Sequence, residues 1–250
     1  MTDTLRATGI TVSFGGVHAL NGVDVTVGAG RLVGLIGPNG AGKTTFIDAV
    51  TGFVAADGRV ELDGRDVSRL SAHARARAGL TRTWQNAELF DDLSVRENLA
   101  VAAHTPSWRG TLGELVGRRH VTSAAVDRAV ALLGLEGMLD LAPDELTQGQ
   151  RKLVGVARAL VGDPHVLCLD EPAAGLDTDE SEELGRRLRQ IVDDGTPILL
   201  IDHDMGLVMG ICDEIVVLEF GEVIASGPPE HVRADDKVIE AYLGSAEVPT

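Results

Sequence analysis

The feature that most constrains this sequence is a glycine-rich segment between the apolar run at residues 32–36 and a helix-forming run at residues 43–50. It fits the pattern GxxxxGK followed by Ser or Thr, which predicts a loop whose backbone N–H groups curl around a polyphosphate at the positive end of a helix. Lys43 is expected to reach the outer phosphates, and the Thr44 hydroxyl is expected to ligate Mg²⁺. The residues expected to bind phosphate are Gly37, Pro38, Asn39, Gly40, Ala41, Gly42, Lys43, Thr44 and Thr45.

A second apolar run, at residues 166–169, ends in two carboxylates, Asp170 and Glu171. Ligands of open parallel sheets bind at the carboxyl ends of the strands, where this pair is expected to lie. Asp170 is then placed to hold Mg²⁺ through water, and Glu171 to polarise the water that attacks the terminal phosphate. An acidic pair after a strand is by itself typical of a solvated turn. Combined with the phosphate loop, it predicts a hydrolytic site.

The order of the apolar patterns predicts an α/β fold. Strand-like runs fill the first 65 residues, with the first two strands at residues 9–14 and 23–27. Helical spacing takes over at residues 93–134, around a loop at residues 105–120, and helices alternate with strands after Gln150. We therefore expect a mainly parallel sheet, an N-terminal antiparallel β-subdomain and an inserted α-helical subdomain.

Charge and composition exclude several classes of protein. The 250 residues include 22 Lys and Arg against 38 Asp and Glu, a net charge of −16, so a nucleic-acid binder that relies on bulk charge is excluded. The acidity is one-sided, with 13 basic and 12 acidic residues up to residue 125 and 9 basic and 26 acidic residues beyond it. Two cysteines without ligand spacing indicate a reducing compartment. No apolar run approaches the roughly 18 residues of a membrane span, which predicts a cytoplasmic protein that reaches the membrane through a partner.

The combined motifs resemble those of an ATP-binding subunit of an ABC transporter. The likeness extends over nearly the whole chain and includes segments beyond the two motifs above. These are Gln85 in the run 83–86, residues 146–150, residues 174–177, and His203.

The resemblance implies a role for each matching residue. Gln85 resembles the glutamine that touches Mg²⁺ and the attacking water, and His203 the histidine that contacts the γ-phosphate. Asp177 resembles the aspartate that communicates between two protomers. Phe14 stands where the family places an aromatic residue that stacks on adenine, with simple core packing as the alternative.

The signature segment of the family, LSGGQ, is changed here. Thr147 replaces the serine and keeps a hydroxyl, Gln148 replaces the first glycine, and Gly149 and Gln150 are retained. In the family this segment opens a helix whose N-terminus caps the γ-phosphate of ATP bound to the other protomer. The resemblance therefore implies that each active site is completed by a second subunit, and that ATP joins the two subunits until it is hydrolysed.

Four segments are similar to ATPase subunits of branched-chain amino-acid importers. The likeness implies a second, different ATPase subunit, with a homodimer as the alternative, two permeases, an extracytoplasmic solute-binding protein, and a place on the inner face of the cell membrane. Trp84, Leu89 and Phe90 are candidates for the groove that accepts a permease helix, with core packing as an equal alternative for Trp84 and Leu89. The similar segments are residues 81–90, 97–104, 201–209 and 238–244.

The resemblance also implies a domain organisation. A single nucleotide-binding domain is expected over residues 1–245, with a core at about 1–92 and 163–227, a helical subdomain at about 93–162 and a C-terminal helical extension at about 228–245.

Other functions remain as alternatives. ATPases for other amino acids, urea or other organic solutes, or for lipopolysaccharide export, share many of these features. Three other classes fit less well. A soluble ABC ATPase of DNA repair or translation normally carries two such domains or a long coiled-coil insert, and this sequence has neither. A regulatory module is expected to have lost Lys43 or Glu171, which are both present, and a kinase does not explain Gln85, residues 146–150 and His203 together.

Overall fold

The computed structural model of the chain describes residues 3–83, 89–103 and 124–244. The chain divides into two compact units, one of residues 1–85 and 165–250 and the other of residues 86–164. The strands are β1 (Asp3–Phe14), β2 (Val17–Gly28), β3 (Leu32–Ile36), β4 (Asp57–Leu62), β5 (Arg65–Asp66), β6 (Leu80–Arg82), β7 (Val166–Asp170), β8 (Ile198–Ile201), β9 (Glu214–Glu219) and β10 (Glu222–Gly227). The helices are α1 (Lys43–Thr51), α2 (Ala72–Arg77), α3 (Val95–Ala103), α4 (Ala124–Leu133), α5 (Gln148–Leu160), α6 (Thr178–Asp193), α7 (Met205–Ile211), α8 (Pro229–Arg233) and α9 (Asp236–Gly244).

The first unit contains a six-stranded sheet in the order β10-β9-β3-β8-β7-β6. Strands β9, β3, β8, β7 and β6 are parallel, and β10 pairs antiparallel with β9. All residues of β3, β7 and β8 are buried, as expected for central strands covered on both faces. The carboxyl ends of β3, β7 and β8 therefore meet at one edge of the sheet. Gly37 follows β3, Asp170 is the last residue of β7, and Asp202 follows β8.

A second, antiparallel sheet of the same unit has the order β2-β1-β4-β5. Its apolar residues form one core with α1 and with apolar residues of the six-stranded sheet, and Phe46 of α1 is fully buried in that core. Cys168 and Cys212 are buried as well, and burial raises the pKa of each thiol to about 12. The α/β fold class expected from the sequence is confirmed.

The first two strands are longer than predicted. Gly9 and Gly22 look like strand boundaries in the sequence, but both lie inside strands. The predicted strands, residues 9–14 and 23–27, are only the C-terminal parts of β1 and β2. Gly9 and Gly22 have φ angles of 62° and 67°, and the register between the strands shifts near each. Side chains replace the lost ladder bonds, since Asp24 accepts a hydrogen bond from Gly9 N at 2.6 Å and Thr11 from Gly22 N at 3.0 Å. These glycines mark bulges and not strand ends.

The second unit is helical in its described part. Helix α5 packs against α3 and α4, and the three helices bury apolar side chains such as Leu99, Val130 and Leu153. The predicted loop at residues 105–120 lies outside the described residues. Across the described parts of both units, every helix is too short or too polar to cross a membrane.

Candidate functional site

The predicted phosphate loop is a tight turn between β3 and α1. Gly37 has a φ of 151°, and a Cβ atom on it would lie 2.1 Å from the carbonyl oxygen of Leu218. Gly42 has a φ of 105°, and its Cβ would lie 2.8 Å from the carbonyl oxygen of Ala19. Both positions therefore require glycine. Asn39, Gly40 and Thr44 are exposed, so the middle of the loop and the first turn of α1 face solvent.

The Lys43 side chain lies in the curve of this loop. The residue is only 8% exposed, and its Nζ donates hydrogen bonds to the carbonyl oxygens of Gly37 at 2.7 Å and Pro38 at 3.0 Å. Burial lowers the pKa of Lys43, while the nearby carboxylates of Glu171 and Asp170 act in the opposite direction. The loop thus holds a positive charge within the electrostatic reach of both predicted acidic residues.

Asp170 and Glu171 lie at the carboxyl end of β7, as predicted. Asp170 is 3% exposed. Glu171 adopts a left-handed backbone with φ of 47°, which is uncommon for a residue with a side chain and costs of order 1–3 kcal/mol. Its N–H donates to the carbonyl oxygen of Ile201 at 2.7 Å, which fixes the turn against β8. The strain is placed where the catalytic base is predicted.

His203 follows β8, the strand next to β7. Its side chain is 62% exposed, and its Nδ1 lies 4.0 Å from Oε2 of Glu171. The structure therefore brings together four predicted site residues of the first unit: Lys43, Asp170, Glu171 and His203.

Two further residues, Asp202 and Arg82, belong to this site and were not predicted from the sequence. The buried carboxylate of Asp202 accepts hydrogen bonds from the N–H groups of Ala173 at 3.0 Å, His203 at 2.8 Å and Asp204 at 3.0 Å. Arg82 forms ion pairs with Asp170 and with Asp48 of α1. The sequence pointed to neither residue strongly. Asp202 stands out only because it precedes the predicted histidine, and nothing distinguishes Arg82 from the other Lys and Arg residues, of which the chain has 22 in all.

Two aromatic residues, Phe14 and Tyr242, differ in their exposure and contacts. Phe14, at the turn between β1 and β2, is 55% exposed, so its ring is accessible for stacking and is not part of the core. Tyr242 of α9 forms a hydrogen bond with the backbone of Gly37, and burial raises the pKa of its phenol. The C-terminal helix thus contacts the first residue of the phosphate loop.

The predicted signature residues lie in the second unit, at the start of α5. Thr147 is the N-cap residue: its Oγ1 accepts from Gln150 N at 3.2 Å, and the Gln150 side chain accepts from Thr147 N at 2.8 Å. Gly149 is buried and Gln148 is exposed. This reciprocal capping box leaves the helix N-terminus intact despite the change from LSGGQ.

The other two predicted residues are Asp177 and Gln85. Asp177 caps α6 by accepting a hydrogen bond from Glu180 N at 2.9 Å, and its role between protomers stays a prediction. Gln85, like Trp84, lies outside the described residues.

Comparison with known proteins agrees with this arrangement. The family model described as ABC transporter matches residues 20–174, and the model described as branched-chain amino acid ATP-binding cassette transporter matches residues 222–248. The high-affinity branched-chain amino acid transport ATP-binding protein LivG of Salmonella typhimurium is 40% identical, over 97% of this chain and 98% of the relative. The corresponding protein BraF of Pseudomonas aeruginosa is 38% identical over the same shares.

Solved structures lead to the same class. The ADP conformation of an ATP-binding cassette of an ABC transporter matches with a TM-score of 0.84 and 29% identity, over 98% of this chain and 100% of that one. The chain belongs to the ABC transporter family, as one of its ATP-binding and ATP-hydrolysing subunits. Subunits of this class dimerise and work with transmembrane permeases, so the site described above is one part of a larger assembly.

Proposed function

We propose that this chain is the ATPase subunit of an importer for branched-chain amino acids. The observation that carries the proposal is the grouping of Lys43, Asp170, Glu171 and His203 at one sheet edge, in a chain 40% identical to a branched-chain amino acid transport ATP-binding protein. The match of residues 222–248 to a branched-chain amino acid family favours import of these solutes over the lipopolysaccharide-export alternative.

We infer that Mg²⁺ accompanies ATP in this site. The donor set suits the ion, because Thr44 offers an exposed hydroxyl at the start of α1 and Asp170 offers a carboxylate, both hard oxygen ligands. Gln85 is the third proposed contact. When bound, the ion neutralises phosphate charge during hydrolysis.

The chain's own groups have distinct proposed tasks in hydrolysis. The loop N–H groups and Lys43 bind and orient the phosphates, and Phe14 stacks on adenine. Glu171 takes the proton of the attacking water, and His203 contacts the γ-phosphate. Residues 147–150 of one subunit are proposed to cap the γ-phosphate in the other, with Asp177 contacting the partner, so hydrolysis would release the two subunits.

The remaining partners are proposed from the likeness to importers. They are a second, different ATPase subunit, two permeases on the inner face of the membrane and an extracytoplasmic binding protein. Of the proposed permease groove, Phe90 is 46% exposed and its ring lies 4.9 Å from the guanidinium carbon of Arg158, whereas Leu89 is 9% exposed. Phe90 therefore fits a contact surface, while Leu89 fits the core.

The proposal is tested by uptake of labelled leucine, isoleucine and valine in a source strain that lacks the gene. We expect uptake to fall and only the natural sequence to restore it, with Glu171→Gln failing because an amide cannot accept the proton of water. Glu182→Gln, the same change at an exposed carboxylate of α6, is the matched control and should restore uptake. Restoration by Glu171→Gln would remove Glu171 from its role, and unchanged uptake in the deletion strain would contradict the choice of solute.

A further inference from the structure

Arg82 connects three elements that surround the nucleotide site. It is the last residue of β6, and its side chain is only 6% exposed. Its Nη2 donates to Oδ2 of Asp170 at 2.7 Å, and its Nη1 pairs with Oδ1 of Asp48. One guanidinium therefore joins the end of β6 to the end of β7 and to helix α1.

The backbone around Arg82 is fixed independently of these ion pairs. Strand β6 is parallel to β7 with Arg82 opposite Cys168, and Thr83 N donates to the carbonyl oxygen of Cys168 at 2.9 Å. Phe53, just beyond α1, places its ring centroid 6.0 Å from the guanidinium carbon. The backbone of Arg82 is thus held in place by strand pairing, and its side chain reaches the two carboxylates from there.

The charges explain why an arginine suits this position. Asp170 and Asp48 are 4% and 25% exposed at their side chains, and Glu171 lies next in the chain. A buried carboxylate without a positive partner carries a large desolvation cost. The planar guanidinium presents two donors in a fixed geometry to two separate carboxylates, which a single lysine ammonium does not match.

We propose that Arg82 is a positioning residue for the Mg²⁺–ATP site, holding the Asp170 carboxylate in the orientation in which it receives the ion. The inference rests on the proposed role of Asp170 toward Mg²⁺. In this role Arg82 acts through Asp170, as residues that orient metal ligands do. By pairing with Asp48 as well, it fixes Asp170 relative to the helix that carries Lys43 and Thr44.

The test is a MgCl₂ titration of the full chain with a fluorescent ATP analogue, which reports binding without turnover. Losing a partner that orients a metal ligand typically lowers metal affinity 10–100-fold, so Arg82→Gln should raise the Mg²⁺ midpoint by about tenfold. Binding of the analogue without Mg²⁺ should change little, because Asp170 then has no ion to receive. Arg82→Lys should raise the Mg²⁺ midpoint less, since lysine keeps the positive charge but loses the two fixed donors of the guanidinium.

Arg75→Gln is the matched control. Arg75 is also a buried arginine that reaches α1, but its Nη1 donates to the carbonyl oxygens of Ala49 at 2.8 Å and Val50 at 2.6 Å. Its loss should destabilise the fold and leave the Mg²⁺ midpoint unchanged. An equal rise in Arg75→Gln would mean general loosening of α1 and would overturn the assignment.

The remaining outcomes separate this inference from the proposed function. Asp170→Asn should raise the midpoint at least as much as Arg82→Gln. A wild-type midpoint in Arg82→Gln together with a raised one in Asp170→Asn overturns the role of Arg82 alone. A wild-type midpoint in Asp170→Asn overturns the proposed metal role of Asp170, and with it the inference. If Arg82→Gln does not fold, Arg82→Lys decides, and a wild-type midpoint there overturns the proposal.

Discussion

At the scale of single residues, Asp202 explains how two loops of the active site stay together. Its carboxylate accepts the N–H of Ala173, two residues beyond the proposed base Glu171, and also the N–H of His203. Its side chain is fully buried. Three N–H donors around one buried carboxylate satisfy its oxygen atoms with hydrogen bonds. Asp202 is thereby a positioning residue for both Glu171 and His203.

We predict that Asp202→Asn destabilises the protein and slows turnover. An amide that replaces the carboxylate turns its NH₂ toward at least one N–H donor, and an unsatisfied buried donor costs about 1–3 kcal/mol. Urea unfolding should show this loss, and kcat should fall while the Kd for ATP stays near the wild-type value. Asp66→Asn is the control, because Asp66 also accepts an N–H, from Ser68 at 2.9 Å, but is exposed. Equal effects in the two variants would contradict the prediction.

The residues that the sequence revealed differ from those that it did not in where their partners lie. Lys43, Asp170 and Glu171 each stand within a contiguous motif after an apolar strand, so local pattern and chemistry were enough. The partners of Arg82 and Asp202 are distant in the sequence. Arg82 pairs with Asp170, 88 positions away, and Asp202 accepts a hydrogen bond from Ala173, 29 positions away. Only the pairing of strands brings such residues together, and the sequence of one chain does not record that pairing.

At the scale of elements, α1 is visible in the local sequence pattern, whereas α2 depends on partners elsewhere in the chain. The predicted helix at residues 43–50 corresponds to α1, which buries Phe46, Ile47 and Val50 in the core. Helix α2 was not predicted, because its sequence AHARAR has no apolar stripe and Arg75 is its buried residue. It is held by a Ser71 cap and by the hydrogen bonds of Arg75 to backbone carbonyls of neighbouring segments. Apolar periodicity does not detect a helix that is anchored by a guanidinium.

Helix α7 begins at an N-cap whose charge makes its stability depend on pH. Asp204 accepts from Leu207 N at 3.0 Å, and the hydroxyl of Ser181 on α6 donates to it at 2.7 Å. The Ser181 hydrogen bond, followed by the N–H groups of Leu207 and Gly206 and the charge of His203, lowers the pKa of Asp204 below its usual 3.8, against an opposing effect of burial. The folded state therefore favours the charged form.

Asp204→Asn should reveal this dependence, because asparagine caps helices as well as aspartate does but has no charge. A lowered pKa stabilises the fold at any pH above the unfolded value, and this contribution is lost as the pH falls through the folded value. The difference in free energy of unfolding between wild type and Asp204→Asn should thus be constant near neutral pH and shrink below pH 3.8. Asp204→Ala, which also loses the cap, should cost about 1 kcal/mol at neutral pH. Urea unfolding of both variants and the wild type, from neutral pH to below pH 3.8, measures these differences. A difference between wild type and Asp204→Asn that grows in acid would contradict the lowered pKa of Asp204.

At the scale of the whole molecule, net charge acts on self-association. Each copy carries a net charge of −16, and the excess of acidic residues lies beyond residue 125, where 9 basic residues face 26 acidic ones. Two copies that approach each other repel at long range, and salt screens this repulsion with a Debye length of about 10 Å at 0.1 M. A second ATPase subunit of lower negative charge would reduce this repulsion, which supports the mixed pair proposed above.

We predict that ATP-driven self-association of the Glu171→Gln variant strengthens with salt. This variant should keep ATP bound without hydrolysing it, so the dimer accumulates and its Kd can be measured by sedimentation. Raising NaCl from about 0.05 M to about 0.3 M shortens the Debye length about 2.4-fold and should lower the dimer Kd. Lys43→Ala, which lacks the phosphate-binding charge, should remain monomeric at every salt concentration. A Kd that rises with salt would show instead that opposite charges attract across the interface, and the acidic half would then be a recognition surface.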